Sequence, residues 1–323
     1  MPGALIGTTV AVTGAAGFLG ARTVARLAGE GRTIVRVARL PARPLDNAVA
    51  TVIDVAGDVG ERDTWDRVVE ADVIFHFAAQ TSVAAAAADP DVDFRSNVMP
   101  IRHLLAACRD SKRRPIVVSA GTVTEAGIPS RLPVGEDVAD DPITVYDRHK
   151  LMAETELKRA AADGVVRGAT LRLANVYGPG AHGRSADRDV LNRMIGAAVI
   201  GQPLTIYGAG DYVRDYIFVE DVVDAFLAAA AHIERVNGHH FVIGSGRGIS
   251  IRDAFELIAA RVERLTGRRV PIATVAPAAP LSPIERRNFV GDHSRFSALT
   301  GWQPKWTLAD GIDRTIEALI CGS

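Results

Sequence analysis

Tyr146 and Lys150 stand four residues apart in a segment with no internal glycine or proline. On a helix that spacing puts both side chains on one face. A phenol with a pKa near ~10 is a poor acid or base at neutral pH. A neighbouring ammonium favours the phenolate and lowers that pKa. Tyr146 can then give a proton to a ketone oxygen as hydride arrives at carbon, or take one from an alcohol in the reverse direction. The pattern YxxxK is common by itself, so its weight depends on what precedes it.

What precedes it is a glycine turn. Thr13-Gly14-Ala15-Ala16-Gly17-Phe18-Leu19-Gly20 follows a short β-branched run and opens a helical pattern. Glycines there let the backbone turn tightly and approach a pyrophosphate, while the helix N-terminus offers free N–H groups. The spacing is GxxGxxG, and its place directly after a first strand makes it a dinucleotide signal. The second strand ends Val37-Ala38-Arg39-Leu40. NAD sites usually carry an acid at this strand end, to hold the adenosine ribose. NADP sites put an arginine nearby for the 2′-phosphate. Arg39, with Arg43 as a second candidate, therefore predicts NADP(H).

These residues need a scaffold. Short apolar runs at Thr9–Thr13, Thr33–Ala38, Ala50–Val55, Asp72–Ala78, Pro115–Ser119 and Gly168–Ala174 read as strands. Helical patterns alternate with them at Ala21–Ala28, Asp63–Glu70, Asp93–Ser111 and Tyr146–Ala162. That alternation predicts an α/β fold, a doubly wound parallel sheet of Rossmann type. The Pro/Gly punctuation of Asn175-Val176-Tyr177-Gly178-Pro179-Gly180 predicts a boundary. The expected domains are 1–177 for the dinucleotide and 178–323, a smaller α/β unit, for the substrate, with part of 212–243 returning to the first. Two late helices are expected at Ser250–Thr266 and Leu308–Leu319.

Taken in order, the sequence resembles the extended short-chain dehydrogenase/reductase family. The shared elements are the TGxxGFxG turn, His76-Phe77-Ala78-Ala79-Gln80, Asn97, Tyr146-x-x-x-Lys150, Asn175–Gly180 and Val213-Arg214-Asp215-Tyr216 through Asp221. The resemblance covers nearly the whole chain. It implies a cofactor site of Gly14, Gly17, Phe18, Leu19, Gly20, Arg39, Asp58, Val59, Phe77, Ala78, Ala79, Asn97, Ser119, Tyr146 and Lys150. It implies nucleotide-sugar contacts from Gln80, Asn175 and Arg214, with Asp215 and Asp221 read as structural. The family's substrate-polarising Ser or Thr aligns with Gly121, a departure. Thr122 is the chosen replacement, with Ser119 and Thr124 as alternatives. The family's late phosphate arginine is also missing, because Ser282-Pro283-Ile284-Glu285 occupies its place. Arg286 or Arg287 replaces it, and Arg287 is the choice.

Dehydratases of the family carry an Asp-Glu pair straight after the hydroxyl. Val123 and Thr124 stand here, which argues against dehydration. The tail from Phe296 to Thr315 is particularly similar to that of NDP-4-keto-6-deoxyhexose 4-ketoreductases. The expectation is an NADPH-dependent 4-ketoreductase acting on a dTDP-4-keto-6-deoxyhexose in antibiotic deoxysugar synthesis. The alternatives are an NDP-sugar 4-epimerase with tightly bound NAD and a non-catalytic NADP-sensing regulator.

Composition excludes other classes. The 323 residues have a net charge of −1, which gives no electrostatic footprint for nucleic acid or a membrane surface. No apolar run reaches the ~18–20 residues of a membrane span. The apolar start, with its first arginine at Arg22, reads as a strand and not as a leader. Cys108 and Cys321 are too few and too far apart for a metal motif, and His239-His240 would point opposite ways on a strand. A cytoplasmic enzyme with reduced thiols and no metal is expected. The resemblance adds a homodimer packed through the Asp93–Ser111 and Tyr146–Ala162 helices.

Overall fold

The structure is a computed structural model and describes residues 5–40, 42, 44–45, 47–180, 190–276, 283–284 and 286–321. The first half runs β1 (Thr9–Thr13), α1 (Phe18–Leu27), β2 (Thr33–Ala38), β3 (Thr51–Ala56), α2 (Arg62–Asp66) and β4 (Val73–His76). It continues through α3 (Val83–Ala88), α4 (Pro90–Asn97), α5 (Met99–Ser111), β5 (Ile116–Thr122), a short 3₁₀ turn (Val123–Ala126), α6 (Val145–Ala162) and β6 (Arg167–Leu173). The second half contains β7 (Asn175–Tyr177), α7 (Val190–Val199), β8 (Leu204–Tyr207), β9 (Val213–Phe218), α8 (Val219–Ala231) and α9 (Ile233–Val236). It ends with β10 (His240–Ile243), β11 (Gly248–Ser250), α10 (Ile251–Thr266), β12 (Ile272–Val275), α11 (Ser294–Thr300) and α12 (Leu308–Cys321).

Seven strands form one sheet in the order β10-β6-β5-β4-β1-β2-β3, all pairs parallel. Side chains alternate between its two faces, as period-2 geometry requires. Val10 and Val12 enter a core shared with Val118 and Phe226, while Ala11 enters the opposite one with Ile74, Val117, Leu104 and Leu157. Both faces are covered by helices, and this explains why the strand sequences are almost continuously apolar. The order reverses between β1 and β4. In such sheets, ligands bind outside the carboxyl ends of the strands at this switch point. Here those ends are Thr13 and His76.

The C-terminal half adds a three-stranded sheet, β11-β9-β7, and a two-stranded one, β12-β8, around a third core. β10 joins the edge of the large sheet beside β6, and α8, α9 and α11 pack on the core that Val10 and Val12 enter. The helix expected over Asp93–Ser111 is instead two, Pro90–Asn97 and Met99–Ser111. Pro100 has no N–H for the Ser96 carbonyl, so the hydrogen-bond ladder breaks there.

Candidate active site

The glycine turn forms as its residues dictate. Gly14 has φ 65°, and a β-carbon there would stand 2.9 Å from the Ala78 nitrogen. At Gly20 it would stand 2.1 Å from the Gly14 carbonyl oxygen. α1 therefore starts tight against the turn. Its N-cap is Gly17, and no side chain caps it. The first N–H groups and the positive end of the helix dipole are left for an anion. This cradle, at the switch point of the sheet, fits a dinucleotide pyrophosphate.

Thr13 ties the turn to the next strand. Its Oγ1 accepts from the N–H groups of Phe77 and Ala78, each at 3.2 Å, and lies 2.8 Å from His76 Nδ1. His76 is buried; burial, then the charge of Lys150, hold its pKa down to about 3. At the far end of the groove Arg39 is exposed, with Nη1 3.8 Å from Asp58 Oδ2. Asp58 also accepts from the Gly60 N–H at 2.8 Å, and Trp65 donates to the Val59 carbonyl at 2.8 Å. Arg43 lies outside the described residues, as do Ser282 and Glu285.

Tyr146 and Lys150 sit in the first turns of α6. Thr144 caps this helix in a reciprocal box with Asp147, 3.1 Å in each direction. Both side chains are buried. Lys150 Nζ donates to the Ala120 carbonyl at 2.6 Å, which binds α6 to the end of β5. Ser119 and Thr122 lie at that strand end, also buried. Thr122 Oγ1 lies 2.9 Å from Thr124 Oγ1, which donates to Asp147.

Three neighbours were not apparent from motifs. Asp93, fully buried, accepts from Gln80 Nε2 at 2.7 Å and Asn97 Nδ2 at 2.9 Å, and its other oxygen lies 2.7 Å from His149 Nδ1. Its spacing of four from Asn97 on one helix was the available signal. Glu125 accepts from the Thr122 N–H at 2.9 Å. Arg172 lies 3.1 Å from Glu125 and donates to both oxygens of Glu154, at 2.9 and 2.7 Å. Gly121 explains this pair. A β-carbon there would stand 3.2 Å from both Arg172 Cγ and Glu125 Oε1. The missing side chain at the departure from the family pattern is the space these two groups use.

On the substrate side, Arg214 Nη1 donates to the Val213 carbonyl at 3.1 Å and also to the Arg287 carbonyl. Arg287 is buried, with Nη1 3.4 Å from the Gly127 carbonyl. Asn175 Nδ2 donates to the Asp215 carbonyl at 3.1 Å. The Asp215 carboxylate fastens Ser245, Gly246 and Gly291, and Asp221 accepts from the N–H groups of Lys305 and Trp306. Among the described residues no cluster of three or more His, Cys, Asp or Glu can hold a metal, and no helix is long and apolar enough to cross a membrane.

A doubly wound sheet with a glycine cradle at its switch point and a buried Tyr–Lys pair beside it defines a dinucleotide-binding Rossmann enzyme. The chain belongs to the NAD dependent epimerase/dehydratase family, whose model matches residues 10–244. It is 32% identical over 322 residues to a UDP-glucose 4-epimerase of Azospirillum brasilense, covering 95% of this chain and 90% of that one. The UDP-glucose 4-epimerase of Brucella ovis, solved in complex with NAD, superposes with a TM-score of 0.79 at 31% identity over 95% of this chain and 97% of that one. That of Thermotoga maritima, solved with UDP-glucose, gives 0.84 at 26% identity over 97% and 99%.

These relatives overturn the expected NADPH-dependent 4-ketoreductase: they are named 4-epimerases. The physical reason is that the two activities share a C4 ketone and the groups that handle its oxygen. The motifs therefore did not separate them.

Proposed function

We propose that this chain is a nucleoside-diphosphate-hexose 4-epimerase acting on a UDP-hexose with a bound nicotinamide dinucleotide. The seat of Lys150 supports the oxygen chemistry that the reading requires. Its 2.6 Å bond to the Ala120 carbonyl ties α6, which also carries Tyr146, to the end of β5 that bears Thr122. The observation that carries the choice of epimerase is the likeness to UDP-glucose 4-epimerases over 95% of the chain.

Inversion at a carbinol carbon without net oxidation needs the hydrogen to leave one face and return to the other. When bound, the dinucleotide supplies that hydride acceptance and return. The chain's own residues handle the oxygen. Tyr146 takes the O4 proton and gives it back, so one group serves both half-reactions. The Lys150 ammonium favours the phenolate. The Thr122 hydroxyl holds O4 in reach. Burial of Tyr146 and Lys150 excludes water from the transfer. Arg214, Arg287 and Asn175 grip the diphosphate, for which guanidinium forks are suited. Residues 1–177 carry the dinucleotide and 178–323 most of the sugar nucleotide. β2 ends at Ala38 with Arg39 next, and the exposed Arg39, whose Nη1 lies 3.8 Å from Asp58, supports acceptance of a 2′-phosphate, and so of NADP(H) as well as NAD(H).

The test is purified protein incubated with UDP-galactose, with no reductant or cofactor added. The expected result is UDP-glucose at equilibrium, no net change in reduced dinucleotide, and dinucleotide released on denaturation. No conversion of any UDP-hexose would overturn the reading.

A further inference from the structure

Thr122 ends β5 and caps the turn that follows, and this turn is held from behind by a buried polar network. Glu125 Oε1 accepts from the Thr122 N–H at 2.9 Å, within a reciprocal capping box that also fixes the Thr122 side chain. The other Glu125 oxygen lies 3.1 Å from Arg172 Nε. Arg172 is locked by Glu154 on α6 and by Asp140 at 2.5 Å. Glu125, Arg172 and Glu154 are all buried. The space for the pair exists because residue 121 is glycine. A buried ion network is costly to build and seldom improves stability over apolar packing. The reaction outlined above uses none of its members.

We propose that Glu125 and Arg172 are positioning residues: set into the space Gly121 leaves, they hold the Thr122 backbone so that its hydroxyl stands at the substrate's C4 oxygen. The proposal rests on the reading that Thr122 is the substrate-facing hydroxyl. Replacing the acceptor frees the Thr122 N–H and lets the turn rotate. An error of about 1 Å at a positioned group can cost on the order of 10²-fold in rate.

The groups facing Glu125 are Arg172 from β6, Lys150 and Glu154 from α6, and Asp140 beyond Arg172. Asp147 faces the same turn through Thr124, and Lys158 and His240 lie behind Glu154. Burial, then repulsion by Glu154, push the Glu125 carboxyl up to about 8, against Arg172, the Thr122 N–H and Lys150. Burial also opposes charge on Glu154, but hydrogen bonds from His240 and Arg172 outweigh it and hold Glu154 ionised. Burial and Glu154 thus oppose charge on Glu125, while Arg172 at 3.1 Å favours it.

The test measures kcat, KM and melting temperature for wild type, Thr122→Ala, Glu125→Leu and Glu125→Gln on UDP-galactose. We expect Glu125→Leu to lower kcat about 10- to 100-fold with KM within threefold of wild type. Glu125→Gln keeps an oxygen for the Thr122 N–H and should recover to within about fivefold. Wild-type kcat in Glu125→Leu would overturn the proposal. If Glu125→Leu does not fold, Glu125→Met, of similar length and with no oxygen for the Thr122 N–H, decides by the same kcat and KM. An unaffected Thr122→Ala would instead overturn the reading of Thr122, and inactive wild type the epimerase reading.

Discussion

Gly121 and Arg172 are register partners on neighbouring parallel strands, and the Arg172 stem fills the space where a Gly121 β-carbon would project. Such a carbon would also lie 2.7 Å from Thr170 Cγ2. Gly121→Ser should therefore overpack the sheet face and cost about 1–3 kcal/mol. Thermal unfolding would show this as a Tm lower by roughly 2–10 °C. The introduced hydroxyl points at Arg172 and not at a substrate. The double variant Gly121→Ser/Thr122→Ala should stay as impaired as Thr122→Ala. Restored activity would show that residue 121 reaches the sugar.

Tyr146→Phe removes one oxygen and leaves the helix cap untouched. It should lower kcat about 10²- to 10⁴-fold, the usual range for a lost acid–base group, with Tm unchanged. Lys150→Met removes both the ammonium and the bond to the Ala120 carbonyl. It should lose activity and melt earlier as well. A Phe variant with near-normal kcat would remove Tyr146 from proton transfer.

The sequence disclosed what is local. β1 and β2 were read to their end residues, because short β-branched runs between glycines have few other folds. Tyr146 and Lys150 were legible because i, i+4 spacing alone sets their geometry. The network behind Thr122 was not. Glu125, Glu154 and Arg172 come from a turn, a helix and a strand, and only the sheet register brings them together. The helix break at Val98 was missed although Pro100 stood in plain view, since the apolar spacing continues across it. The choice between epimerase and ketoreductase was illegible for a chemical reason. Both act through the same ketone with the same residues, and net redox depends on whether the dinucleotide stays bound.

The ribose end of the groove makes its own prediction. Arg39 is exposed and weakly engaged with Asp58, so a phosphate can take its guanidinium at little cost. A charge-assisted hydrogen bond contributes roughly 1.5–3 kcal/mol. Arg39→Ala should thus weaken NADP(H) binding by about 10- to 100-fold and change NAD(H) binding by under threefold. Calorimetric titration of cofactor-free protein checks both. Equal losses for the two dinucleotides would show that Arg39 does not read the phosphate.

His76 gives the fold a pH limit on the acid side. It is 4% exposed, packs on Trp65 with ring centroids 5.6 Å apart, and lies 2.8 Å from the Thr13 hydroxyl. Its folded pKa of about 3 is far below the ordinary value of ~6.5. Between those values the unfolded chain binds a proton that the folded chain refuses, so stability rises with pH across the window. The contribution is complete above pH 6.5 and is lost as the pH falls toward 3. At pH 5 the loss is about 2 kcal/mol, from one and a half units at 1.36 kcal/mol each. Urea unfolding at pH 7 and pH 5 should show wild type losing about that much more than His76→Gln, which has no proton to gain. Protonation would also set a second cation near Lys150 and reorganise the hydrogen bond to the Thr13 hydroxyl beside the glycine turn. Dinucleotide release should therefore precede global unfolding on acidification. Equal losses in the two proteins would mean that His76 is already charged in the fold.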